Sequence, residues 1–147
     1  MRTYIPVEKP CDNALWRHAG LPARGVELTL VLKAGLPVDV LDDIRLWSSM
    51  SKADIMRVTG INERNVARRK SAGKSLSQDE SERVARFVRV MDAAVQLFGG
   101  NKSDAYHWLN QPVKGLGYVA PVSLMTTESG ALAVLDLIGR LEHGVFS

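Results

Sequence analysis

The stretch from Ser77 to Phe98 constrains the fold most. Val84, Phe87, Val88, Met91, Val95 and Phe98 return at intervals of three and four residues, while Arg83, Arg86 and Arg89 lie mostly on the other side. That periodicity belongs to an amphipathic α-helix. Ser77 and Glu80 form the Ser-x-x-Glu box that satisfies the first free backbone N–H groups of such a helix. Gly99-Gly100 ends it.

Helical signals dominate the rest of the chain. Val38–Trp47 places Val40, Leu41, Ile44 and Trp47 on one stripe. Ser51 caps a helix running to Val58, with Asp54 three residues on to answer it. Asn62 caps another, stopped at Gly73. Ser103–Leu109 predicts a short helix before Pro112, and Thr127 caps a last one from Glu128 to Glu142. Residues 110–126, rich in Gly and Pro, read as loop. Val26–Ala34 fits either a strand or a short helix, and residues 1–25 read as irregular, with one helical turn near Ala14–Ala19. The predicted class is all-α. In the last helix Leu132, Val134, Leu135, Leu137, Ile138 and Leu141 cover most of the circumference, so it is expected to be buried or to face a partner.

The chain has 147 residues, of which 46% are apolar, enough for a core without staples. No apolar run approaches the ~20 residues of a membrane span, and the start shows no apolar signal segment. One cysteine, Cys11, forms no internal disulfide, and the expected compartment is the cytoplasm. The net charge is only +3, but its distribution is uneven. Residues 51–100 hold ten basic and six acidic side chains, whereas the two flanking segments are nearly balanced. Between Arg64 and Lys74 there are five basic residues and no acid. This is either a polyanion-binding patch or a solvated helix face.

Ser51–Lys70 resolves in favour of the patch. A short capped helix, a turn at Gly60, an apolar Ile61 and a second capped helix form a helix-turn-helix signature. Ile55, Val58, Ile61 and Val66 are expected to pin the two helices together. Glu63, Arg64, Asn65, Arg68 and Arg69 then face outward. Arg reads guanine and Asn reads adenine at base edges. Arg69, Lys70 and Lys74 suit phosphates. Met56 and Lys52 depart from repressor-like versions, which usually carry alanine and glutamine there, and such folds also serve as protein-interaction modules.

No enzyme is expected. His18, His107 and His143 lack metal-site spacing, and Cys11 has no basic cluster nearby to lower its pKa. The chain shows no phosphate loop, no dinucleotide fingerprint and no nucleophile-base set. Trp108 reads as a packing residue, and neither cofactor nor metal is expected.

From Leu30 to its end the chain resembles the Xre/MbcA/ParS-type antitoxins, partners of RES-domain toxins. The match begins at Gly35-Leu36-Pro37 and continues through Arg68-Arg69, Leu76-Ser77, Glu80-Ser81 and Arg83. It resumes with Leu97-Phe98-Gly99, Ala105, Trp108-Leu109, Pro112, Leu116-Gly117, Pro121, Leu124, Thr126 and Gly130, and closes with Ile138, Arg140-Leu141 and Gly144-Val145-Phe146. One departure is Tyr118, where the family usually has a second glycine.

The resemblance implies an Xre-like helix-turn-helix domain over residues 30–91 and a small helical toxin-binding domain over residues 92–147, with residues 1–29 of unassigned role. It further implies a partner toxin that consumes NAD, an antitoxin segment that blocks the toxin's active site, and repression of the shared operon by DNA binding. The tail fits this beside its own chemistry. Val145 and Phe146 are apolar residues that a free monomer exposes, and Arg140, Glu142, His143, Gly144 and Ser147 complete a segment able to enter a polar pocket. An ordinary frayed terminus is the alternative. Self-association into a dimer is also expected. A helix-turn-helix regulator without a toxin partner stays open as the second reading.

Overall fold

The computed structural model describes residues 14–22 and 25–144. Cys11 lies outside them. Nine α-helices run through the described residues: α1 (Ala14–Ala19), α2 (Gly25–Ala34), α3 (Val40–Ser48), α4 (Lys52–Thr59), α5 (Glu63–Ser71), α6 (Gln78–Leu97), α7 (Lys102–Leu109), α8 (Pro121–Leu124) and α9 (Glu128–Glu142). No strand forms among them. A single antiparallel bridge joins Val113 to Val119 around a 3₁₀ turn, Lys114–Leu116. The all-α expectation is met. Val26–Ala34 resolves as helix, and the segment read as loop at 110–126 holds the 3₁₀ turn and α8.

Helix α6 is the central element. The Ser77 hydroxyl accepts from the Glu80 N–H at 3.1 Å while the Glu80 carboxylate accepts from the Ser77 N–H at 2.9 Å, so the capping box is complete. Val84, Ala85, Phe87, Val88, Val90, Met91, Ala94 and Val95 are all buried. At 100° per residue these positions spread over more than half of the helix circumference. One neighbouring helix cannot cover so wide an arc. α1, α2, α4, α7 and α9 all pack against it. Burying each large side chain of this set contributes about 1.5–3 kcal/mol.

The segment between α2 and α3 is fixed by backbone contact. Gly35 has φ +95, and a Cβ placed there meets the carbonyl oxygen of Leu76. Leu36 is fully buried. Its N–H donates to the buried Ser81 hydroxyl at 2.8 Å, and its carbonyl accepts from the Leu76 N–H at 2.9 Å. Gly35-Leu36-Pro37 is thus the seam where the N-terminal helices meet the start of α6. The N-terminal segment belongs to the same core, because Leu15 and Trp16 of α1 are buried and α1 packs on α3 and α6.

Most of the large apolar side chains of α9 are covered by the rest of the fold, while its polar residues stay at the surface. Ala131, Val134, Leu137 and Ile138 are buried, Leu135 and Leu141 half-buried, and only Leu132 is exposed among its large apolar residues. Trp108 packs as expected, its ring 6.2 Å from that of Phe98.

The seam makes a stability prediction. Ser81→Ala leaves the buried Leu36 N–H without its acceptor and lowers unfolding stability by about 1–3 kcal/mol. Gly35→Ala costs more, because backbone must move. Denaturant melts of both variants measure this, and an unchanged midpoint for Gly35→Ala contradicts the close approach.

Candidate functional site

Helices α4 and α5 are joined by a turn in which Gly60 takes φ +68, the left-handed conformation open to glycine at no steric cost. The Ser51 hydroxyl caps α4 at the Asp54 N–H, 3.1 Å. The Asn62 side-chain oxygen caps α5 at Arg64 N–H, 2.8 Å, and Asn65 N–H, 3.4 Å. Ile55, Val58, Ile61 and Val66 are all buried, as their spacing predicts. The turn is also held from outside: the Arg83 guanidinium donates to the Gly60 carbonyl at 2.9 Å.

The basic residues of α5 divide into two groups. Arg64 and Arg68 are exposed, and Arg68 donates to the Asn65 side-chain oxygen at 2.6 Å, which orients both on one outward face. Arg68, Arg69 and Lys74 line one cleft with Ala72. Lys70 lies on the other flank, beside Arg45 of α3 and Lys52 of α4, on the rim of a groove floored by Leu41, Ile55, Met56 and Val66. Sequence reasoning missed Arg45 and gave Lys52 no role, since only the packing of α3 and α4 brings them beside Lys70. Lys52 is partly neutralised by Glu63 at 3.5 Å.

Arg69, expected to suit phosphates, is also engaged within the fold. Its Nε lies 2.9 Å from Glu80 Oε1, and it donates to the Ser75 carbonyl at 3.4 Å. It is the least exposed member of the cluster, so its first duty is to tie α5 to the start of α6. Burial pushes the Glu80 carboxyl up. Hydrogen bonds from Ser77 and the Arg69 charge outweigh this and hold it below the usual glutamate range.

The C-terminal helices press on the same unit. The Tyr106 hydroxyl of α7 donates to Asp54 Oδ2 on α4 at 2.8 Å, and Lys102 lies over the Trp47 ring at 4.7 Å. The Tyr106 hydroxyl, aided by Arg57 and Ser51, holds Asp54 below the usual aspartate range against some desolvation. At the far end of α9, Arg140 is exposed and borders a groove with Gly115, Leu116, Ala133 and Asp136. Glu142 and His143 are exposed, and Gly144 follows with φ +71. Val145, Phe146 and Ser147 lie outside the described residues. Among those residues no three His, Cys, Asp or Glu side chains gather as metal ligands do, and no helix is long and apolar enough to cross a membrane.

Chemically, the α5 face offers guanidinium and ammonium groups to a polyanion, and the α9 end offers a mixed polar surface to a protein. Comparisons with known proteins match both halves. Residues 27–89 match the antitoxin Xre-like helix-turn-helix domain. Residues 93–144 match the antitoxin Xre/MbcA/ParS C-terminal toxin-binding domain. Over the full length of both chains the sequence is 56% identical to a protein named Antitoxin Xre from Yersinia enterocolitica. It is 50% identical, again over the full length of both, to one of the same name from Photorhabdus laumondii.

The Arg69–Glu80 tie sets a pH dependence. A carboxyl depressed in the folded state adds stability above its ordinary pKa near 4.5 and loses it as pH falls through the folded value. Wild-type stability therefore drops below pH 4.5, and Glu80→Gln flattens part of that drop. Arg69→Ala lowers the melting temperature at pH 7, whereas Arg68→Ala leaves it unchanged. Thermal melts across pH check both, and equal melting of the two arginine variants contradicts the assignment.

Proposed function

The chain belongs to the Xre antitoxin family, and on that premise we propose that it neutralises a RES-domain toxin that degrades NAD, by placing its C-terminal segment across the toxin's active site. One observation supports the mode of action above others: α9 is anchored inside the fold through Val134, Leu137 and Ile138, yet its last turn emerges with Arg140, Glu142 and His143 exposed. A rigid helix thus presents the polar residues that precede Val145, Phe146 and Ser147. Rigid presentation reduces the ordering cost of binding. Phe146 is the apolar anchor of this segment, and the charged groups before it meet the polar walls of a nucleotide pocket. The chain itself performs no catalysis in this reading and needs no cofactor or metal.

The same protein binds its operator DNA, alone or with the toxin, and thereby regulates its own expression. Arg64 and Asn65 open the recognition helix and face base edges, where guanine and adenine offer matching groups. Arg68, Lys70 and Lys74 contact phosphates on the two flanks of α5, with Arg45 and Lys52 extending the Lys70 side. Arg69 contributes by fixing the angle of α5 through Glu80. The labour divides between residues 30–91 for DNA and 92–147 for toxin, with residues 1–29 supporting the core through α1. The division runs through the continuous helix α6, so the two activities share one rigid element. Dimer formation places two recognition helices on successive half-sites, and Val26, Leu30 and Leu46 are exposed apolar side chains suited to that contact. The site of action is the cytoplasm.

Two variants separate the activities. Deleting Val145–Ser147 weakens inhibition of NAD hydrolysis by the purified RES-domain toxin at least about tenfold, the scale of a lost anchor, without lowering the melting temperature. Undiminished inhibition by the truncated chain contradicts occlusion by the tail. Arg64→Ala with Arg68→Ala abolishes operator binding in a gel-shift assay and leaves toxin inhibition intact. Wild-type binding weakens steeply with salt, as phosphate contacts require. A chain that binds operator but inhibits no toxin is a regulator only.

A further inference from the structure

The hairpin-like turn after α7 contains an unusual residue choice. Gly117 and Tyr118 both take the left-handed conformation, with φ 70 and 63. Glycine does so freely, whereas a side chain with a Cβ meets steric resistance. The turn itself requires the conformation. The Tyr118 N–H donates to the Val113 carbonyl at 2.9 Å, and the Val113 N–H donates to the Val119 carbonyl at 3.1 Å. A glycine at 118 meets that requirement equally well. The tyrosine side chain returns little to the fold, because it is 69% exposed. A strained residue whose side chain lies in solvent points to a role other than folding.

Its surroundings indicate what. The 3₁₀ turn packs on α9, and Gly115, Leu116, Ala133, Asp136 and Arg140 line an open groove of about 370 Å³ between them. Leu132, half exposed, sits one turn before Asp136 on the same side of α9. Among the described residues that match the toxin-binding domain, the exposed large hydrophobic side chains are Tyr118, Val119 and Leu132. Tyr118 and Val119 close the turn that carries the 3₁₀ element, and Leu132 lies on α9, so the three sit on the segments from which the groove is built. An exposed aromatic, two aliphatics and an arginine beside a carboxylate have the make-up of a protein-binding hot spot.

We propose that this turn-and-helix surface is a second contact with the toxin, separate from the C-terminal segment, with Tyr118 as its aromatic anchor. The inference rests on the antitoxin reading above. The occupant is the toxin because the surface lies within the toxin-binding domain. The toxin face that fits it has an apolar recess for the phenol ring, with a carboxylate for Arg140 and a cation for Asp136 at its rim. The tail blocks the active site, and this surface holds the antitoxin in place while it does so.

The experiment titrates the full-length chain into the RES-domain protein of the same operon and pairs each affinity with a thermal melt. Tyr118→Gly raises Kd at least about tenfold, the lower range of a hot-spot truncation. It melts no lower than wild type, since the backbone strain is relieved. Leu132→Gln weakens binding in the same direction. Wild-type affinity retained by Tyr118→Gly overturns the inference while leaving the antitoxin reading in place. So does a Tyr118→Gly chain that loses self-association and binds toxin unchanged, because the surface then faces a second copy. A wild-type chain that fails to bind the RES-domain protein overturns the antitoxin reading, and this inference with it.

Discussion

Helix α6 buries side chains over so much of its circumference that one layer of neighbours cannot cover it. The helix-turn-helix and N-terminal helices cover one part through α1, α2 and α4, and α7 and α9 cover the rest. Neither half has a complete core without the helix they share. The wide apolar arc of α6 therefore makes the helix-turn-helix part and the C-terminal part a single folding unit. Burial sets this arrangement, since halves of this size are only marginally stable on their own.

The polar side of α6 reinforces it. Arg83 reaches the carbonyl of Gly60 in the turn between α4 and α5. Arg86 and Arg89 both reach Glu128 in the first turn of α9, at 3.1 and 3.4 Å, and Arg86 also donates to the Thr126 carbonyl. Exposed ion pairs contribute little stability each. Arg86 is the better placed, being only 19% exposed. Their main effect is geometric: one helix face sets the position of the helix-turn-helix turn and of the helix that leads to the C-terminal segment. Tyr106 on Asp54 and Lys102 over Trp47 add direct contacts between α7 and the helix-turn-helix half.

Local chemistry was readable in advance, and tertiary chemistry was not. Ser51, Asn62, Ser77 and Thr127 all cap the helices their spacing predicts, because a cap depends on residues within one turn. Asn101 caps α7 in the same way, and starting that helix at Ser103 overlooked it. The apolar pins of the helix-turn-helix were legible because their period is that of the helix. The fate of the arginines was not. Arg83, Arg86 and Arg89 look like a solvated face in sequence, yet each has a partner on another element. Arg69 looks like its neighbours Arg68 and Lys70, but only it meets Glu80. The all-round apolar pattern of α9 left burial and partner-binding equally open, and packing on α6 and α8 accounts for most of it. The role of Gly35-Leu36-Pro37 became visible only once Leu76 and Ser81 were beside it.

The most direct test of the account is the NAD content of cells that express the open reading frame adjacent to this gene, first alone and then together with this chain. The account predicts that NAD collapses in the first case and is restored in the second. NAD that stays low in the presence of the full-length chain, or never falls at all, contradicts it.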